Sequence, residues 1–78
     1  MVVKAYVLIE VDVGKACEVV EAVQKLGGVK SADSVTGPYD VVAAVEVADL
    51  DAVGSVVKQI HSLSGICKTT TCIGMKYS

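Results

Sequence analysis

The residues able to do chemistry are few, and their spacing limits what they can do. His61 is the single histidine. It falls on the polar arc of a helical segment beside Gln59 and Ser62, so its plain reading is a solvated helix face and its alternative a contact or ligand role. It forms no visible triad with a nucleophile and a carboxylate. Cys17, Cys67 and Cys72 match neither a disulfide framework nor a CxxC motif. An odd separation puts Cys67 and Cys72 on opposite faces of one strand, so the thiols are expected to be small buried hydrophobes or inert groups, with no shared metal. Glu18 and Glu21 stand at i, i+3 and could approach one cation, but a charged solvent face explains them. Neither GxGxxG nor a GxxxxGKS/T phosphate loop occurs. No catalytic residue, metal ligand or cofactor is assigned.

Two segments carry more information. In Thr36-Gly37-Pro38-Tyr39-Asp40, a tight turn between strands is the plain reading, with Gly permitting positive φ and Pro fixing φ. That reading leaves Asp40 unexplained: a carboxylate opening an otherwise apolar strand, next to a tyrosine, can accept from an ammonium group at the sheet's edge. In Thr69-Thr70-Thr71, β-propensity is the plain reading. Alternating hydroxyls with neighbouring backbone N–H groups are also donors suited to a small carboxylate.

Composition restricts the setting in which these groups act. With 78 residues, 53% of them apolar and 21% charged, the chain has room for one folded domain, residues 1–78, and is too hydrophobic for disorder. Apolar stretches are broken every few residues, so no membrane span is expected. No basic segment with a cleavage site opens the chain, and a cytoplasmic location is expected. Seven basic and nine acidic side chains leave a net charge of −2, too little positive charge for direct nucleic-acid binding. Aromatic residues make up 4%. A small aliphatic core of this kind gains by burying a further face in a partner subunit.

The elements that must position the candidates follow from hydrophobic period. Val2 to Val11 alternates Val3, Ala5, Val7 and Ile9 against Lys4, Tyr6, Leu8 and Glu10, a strand with one apolar and one mixed face. Residues 15–26 place Ala16, Val19, Val20, Val23 and Leu26 at helical spacing, and Gly27-Gly28 ends the helix. A weaker strand is expected from Val29 to Thr36, a turn at Gly37-Pro38, and a third strand from Asp40 to Val47 with the same alternation. Asp49 is the expected N-cap of a helix burying Leu50, Val53, Val56, Val57, Ile60 and Leu63. Gly65 closes it, and Lys68 to Tyr77 reads as a last strand.

The βαββαβ order has internal support. Leu26, Gly28 and Gly37 match Leu63, Gly65 and Gly74 at a constant offset of 37 positions, which sets Val20 on Val57 and Val23 on Ile60. Two βαβ halves with right-handed crossovers give an α+β, ferredoxin-like sandwich: a four-stranded antiparallel sheet with both helices on one face. The uncovered face would carry Tyr6, Leu8, Val42 and Ala44, and a second subunit is its expected cover.

The block Ala5-Tyr6-Val7-Leu8-Ile9, the run Val35-Thr36-Gly37-Pro38-Tyr39-Asp40-Val41-Val42, Asp49 at a helix start, Gly65-Ile66 and the following Thr69 and Thr71 together resemble the effector-binding (RAM) domain of Lrp/AsnC, or feast/famine, transcriptional regulators. The resemblance spans essentially the whole chain. It implies sheet-to-sheet dimers that assemble into rings, and small effectors, typically amino acids, held where dimers meet. By resemblance, Gly37, Tyr39, Asp40, Thr69 and Thr71 line the effector site. It also implies sheet order 4-1-3-2, which sets the last strand some way from the turn within one subunit, so that a neighbouring dimer must close the gap. Family regulators carry a helix-turn-helix domain ahead of this module, whereas here Met1 leads straight into the first strand. The expectation is therefore a stand-alone sensor, acting by itself or in mixed assemblies with full-length Lrp/AsnC regulators. Pro38 removes one backbone N–H that a ligand could use. Two other classes stay open: a cofactor-free ferredoxin-like enzyme, for which only His61 could serve, and a purely structural or partner-docking domain.

Overall fold

A computed structural model describes residues 2–75. The elements run β1 (Val3–Val11), α1 (Ala16–Gln24), β2 (Val29–Ser34), β3 (Val41–Val47), α2 (Leu50–His61) and β4 (Ile66–Ile73). The strands form one antiparallel sheet in the order β2-β3-β1-β4, the expected topology. The expected last strand ran to Tyr77, which lies outside the described residues; β4 ends at Ile73.

Alternation decides which face is buried. Directly opposed residues in antiparallel strands share a face, and Ala5, Val7 and Ile9 of β1 oppose Val45, Ala43 and Val41 of β3. All six are buried, and with Ala32 they meet Val19 and Val23 of α1 and Val53, Val56 and Ile60 of α2 in one core. The opposite face carries Tyr6, Leu8, Val42 and Ala44, with Tyr6 45% exposed. The helices cover one side only.

Element ends follow local chemistry. Asp49 caps α2, its Oδ1 accepting the Ala52 N–H at 2.8 Å. Leu50 departs from the expected buried stripe and is 61% exposed, because the first turn of α2 extends past the layer of core side chains, which starts at Val53. The expected second strand reached Thr36, but β2 stops at Ser34; there the Val35 N–H donates to the Asp40 carbonyl at 2.9 Å and closes the turn.

The two halves repeat in three dimensions. Val23 and Ile60 are fully buried, and Leu26 and Leu63 are half-buried, each donating its N–H back to Val23 or Ile60. Gly28 and Gly65 both sit at φ +91°, in the region that favours glycine, and their carbonyls accept from Glu46 and Asp12 respectively, both at 2.9 Å.

Candidate functional site

Chain direction brings the candidates to one end of the sheet. β1 ends there at Val11, β3 begins at Val41, β4 begins at Ile66, and α2 delivers its C-terminal residue His61 to the same end. The register of β1 against β4 is broken by a bulge between Glu10 and Val11, leaving backbone groups there to find other partners.

Asp40 answers that need. Its Oδ2 accepts the part-buried Val11 N–H at 2.9 Å, while its own N–H donates to the Ile9 carbonyl at 2.9 Å. One carboxylate oxygen is thus engaged at the strand end, and Oδ1 has no hydrogen-bond partner among the described residues. Asp40 is therefore a strand clamp with one oxygen to spare. Gly37 lies at the exposed turn with φ +140°, and a Cβ there would meet nothing within 4 Å.

Tyr39 corrects the expectation that the turn and the last strand stand apart in one subunit. Its hydroxyl donates to Thr70 Oγ1 at 3.3 Å, spanning β1 within a single chain. Thr70 pairs with Leu8 and so lies on the open face, whereas Thr69 and Thr71 pair with Ile9 and Val7 and lie on the helix side. The structure therefore brings together Tyr39 and Thr70, and separately Thr69 and His61, whose Oγ1 and Nε2 are 2.7 Å apart. It does not bring Tyr39 or Asp40 into a hydrogen bond with Thr69 or Thr71. Alternation alone marks which hydroxyls share a face, but Thr70's partner depends on strand register, which the sequence does not display.

Of the two expectations for the thiols, burial is corrected: all three are exposed. Cys67 donates to Asp12 Oδ1 at 2.8 Å. That hydrogen bond, with a lesser desolvation effect and the charges of Asp12, Glu10 and Asp40, raises the thiol above its ordinary range. Cys72 pairs with Tyr6 on the open face. Among the described residues no three His, Cys, Asp or Glu side chains converge on a metal position, and no helix is long and apolar enough to cross a membrane. A surface depression lined by Ser55, Lys58, Gln59 and Ser62 lies on the outer side of α2.

Comparison with known proteins agrees with this architecture. The family model of the Lrp/AsnC ligand binding domain matches residues 4–77. The solved structure of TTHA0845 from Thermus thermophilus is 36% identical, covers 97% of this chain and 96% of its own, and superposes with a TM-score of 0.92. Two longer proteins share the fold: AsnC of E. coli, at 22% identity and TM-score 0.86 over 96% of this chain and 52% of its own, and a Neisseria meningitidis transcriptional regulator solved with L-Met, at 22% identity and TM-score 0.82 over 95% of this chain and 50% of its own. The chain spans about half the length of those two regulators. No curated protein matches it.

Proposed function

Since the chain belongs to the Lrp/AsnC ligand-binding domain family, we propose that it is a non-enzymatic, cytoplasmic sensor that binds a small amino acid at subunit interfaces and transmits its presence to transcriptional or metabolic regulation. The observation that carries this reading is the placement of Asp40, with a spare carboxylate oxygen, at the same sheet end as the β4 hydroxyls. A zwitterion needs an acceptor for its ammonium and donors for its carboxylate. Asp40 and Tyr39 would hold the ammonium side, Thr69 and Thr71 the carboxylate, and Gly37 would leave room for the approach. The solved complex of a family-fold regulator with L-Met supports the ligand class.

Because the hydroxyls of Thr69 and Thr71 do not face Asp40 within one chain, completion of the site by another subunit accords with a ring of dimers. The apolar open face, with Tyr6, Leu8, Val42 and Ala44, favours the dimer half of that assembly. A net charge of −2 argues against DNA binding by the chain itself, so the regulatory partner would be a full-length Lrp/AsnC relative. The chain is taken as one such domain over residues 1–78.

The test is a thermal-shift screen of the twenty L-amino acids, with sedimentation velocity alongside. A ligand bound only by the folded oligomer raises Tm by mass action, by about 2.7 kcal/mol of stabilisation at a hundredfold excess over Kd. One or a few amino acids should raise Tm and alter the sedimentation profile, and Leu8→Lys should reduce the assembly to monomer or unfold it. No shift with any amino acid, together with a monomer at micromolar concentration, would reject the reading.

A further inference from the structure

The 37-residue repeat extends to a pair of contacts. In the first half, Gln24 at the end of α1 donates from Nε2 to the Ala32 carbonyl of β2 at 3.0 Å. Adding 37 to each position gives His61 and Thr69, which make the matching contact between the end of α2 and β4 at 2.7 Å. Each clasp ties a helix C-terminus to the strand that follows it. They differ in chemistry: the first joins an amide to a backbone carbonyl and has no titratable partner, while the second joins an imidazole to a side-chain hydroxyl.

From this difference we infer that His61 is a positioning residue which sets the hydrogen-bond polarity of Thr69, and so makes binding of a carboxylate-bearing effector depend on pH. The inference rests on the proposed role of Thr69 in the effector site. A hydroxyl has one proton to give. With neutral His61 in its Nδ1–H tautomer, Nε2 accepts that proton, and Thr69 then has none left for an effector carboxylate. With protonated His61, both ring nitrogens are donors. Nε2–H must donate to Thr69 Oγ1, and the Thr69 hydroxyl is released to donate to the carboxylate, beside a new positive charge. An imidazole ordinarily changes charge between pH 5 and 8, so the selection operates in the physiological range.

His61 is the last residue of α2. The titratable residues next to it along the chain are Lys58, one turn earlier on α2, and Cys67 and Lys68, before Thr69 on β4; Lys68 lies on the opposite face, across from Glu10, and Cys67 donates its thiol proton to Asp12. The helix-facing residues of β1 and β3 are Ala5, Val7, Ile9, Val41, Ala43 and Val45, none of them titratable. No residue of β4 is a carboxylate; the carboxylates at this sheet end are Asp12, which accepts from Cys67, Glu10, across from Lys68, and Asp40, at Val11, and none of them makes a hydrogen bond to His61 or Thr69 among the described residues.

The sign follows from linkage. A carboxylate that favours protonated His61 binds together with a proton, so affinity is highest at low pH and falls as pH rises through the titration of the complex. Calorimetric titration of the full chain with each of the twenty L-amino acids at pH 5.5 and pH 8.0 should show binding about tenfold tighter at the lower pH, the equivalent of a one-unit upward move of the His61 titration midpoint. His61→Gln places in the second half the residue that makes the clasp in the first, and should bind with no such dependence. Because His61 is the only histidine, its imidazole proton resonance reports the same linkage in the wild-type protein without any substitution: its midpoint should move upward on saturation with the amino acid that binds. Equal affinity at both pH values with an unmoved midpoint, or a pH dependence retained in His61→Gln, would overturn the inference while leaving amino-acid binding intact. Absence of binding at both pH values would overturn the sensor reading and this inference with it.

Discussion

The two halves of this chain share one plan and use the same residue type for different ends. Asp49 and Asp12 occupy equivalent positions 37 residues apart, yet Asp49 caps α2 while Asp12 takes the Cys67 thiol of β4. The backbone explains the divergence. After Asp12 the chain passes through Gly14 at φ +80° before α1 starts at Ala16, so the turn that is helical in α2 is loop in the first half. Asp12 is released from capping, and Lys15 at the start of α1 has no side-chain cap to offer. Symmetry in the core thus coexists with asymmetry at the rim, and the candidate site lies where the asymmetry is greatest.

The shared plan should break most severely at its first glycine. Gly28 and Gly65 have the same φ, so alanine at either carries a left-handed backbone cost of roughly 1–2 kcal/mol. At Gly28 the added Cβ would also stand 2.7 Å from Val47 Cγ1 and 3.2 Å from Val56 Cγ2, both around the core, whereas at Gly65 it meets the Lys15 side chain at 3.1 Å. Gly28→Ala should cost about 2–4 kcal/mol once overpacking is added, and Gly65→Ala clearly less, in urea denaturation followed by circular dichroism. Equal losses would show that the packing around the two turns is more alike than the distances imply.

The paired aspartates give the next largest difference. Asp49→Ala should lower stability by about 1 kcal/mol through loss of the cap, while Asp12→Ala should change it by no more than about 0.5 kcal/mol, as befits an exposed position outside a helix. A helix-sized loss at Asp12 would contradict the division of roles.

The smallest effect concerns reactivity. The hydrogen bond to Asp12 holds the Cys67 thiol protonated above its ordinary range, and the thiolate is the nucleophile. Asp12→Ala should therefore lower the Cys67 titration and speed its labelling by a disulfide reagent at neutral pH, read by peptide mass mapping. Unchanged labelling would mean that the thiol does not depend on Asp12.

Much of this architecture is written in period and punctuation. The alternation Val3, Ala5, Val7, Ile9 and its counterpart from Val41 to Val47 identifies the buried faces, and the glycines at 28 and 65 mark the helix ends, because burial and φ are properties of single positions in a regular element. Asp49 is legible for the same reason: a cap is a local bond between residues three apart. What escapes the sequence is pairwise and distant. The Asp40 bond to Val11 spans 29 residues, Tyr39 to Thr70 spans 31 and Cys67 to Asp12 spans 55. Each depends on a strand register or a bulge that no local pattern encodes. The His61–Thr69 contact escapes the sequence too: the repeat offset pairs it with Gln24 and Ala32, but that both pairs touch is seen only in the structure.

The central claim, that Asp40 at this sheet end receives the ammonium of an amino acid, is tested most directly by calorimetry of wild type and Asp40→Asn against the twenty L-amino acids. Asparagine keeps an oxygen to accept the Val11 N–H, so the strand end stays closed, but it removes the charge that would pair with an ammonium. Where Asp40→Ala would also orphan a part-buried N–H at about 1–3 kcal/mol, the asparagine variant separates folding from recognition. Saturable binding of at least one amino acid by the wild type is expected, with roughly thirtyfold or greater weakening in Asp40→Asn, about 2 kcal/mol or more, and the oligomer unchanged. Equal affinity in the two proteins would remove Asp40 from the site and contradict the account.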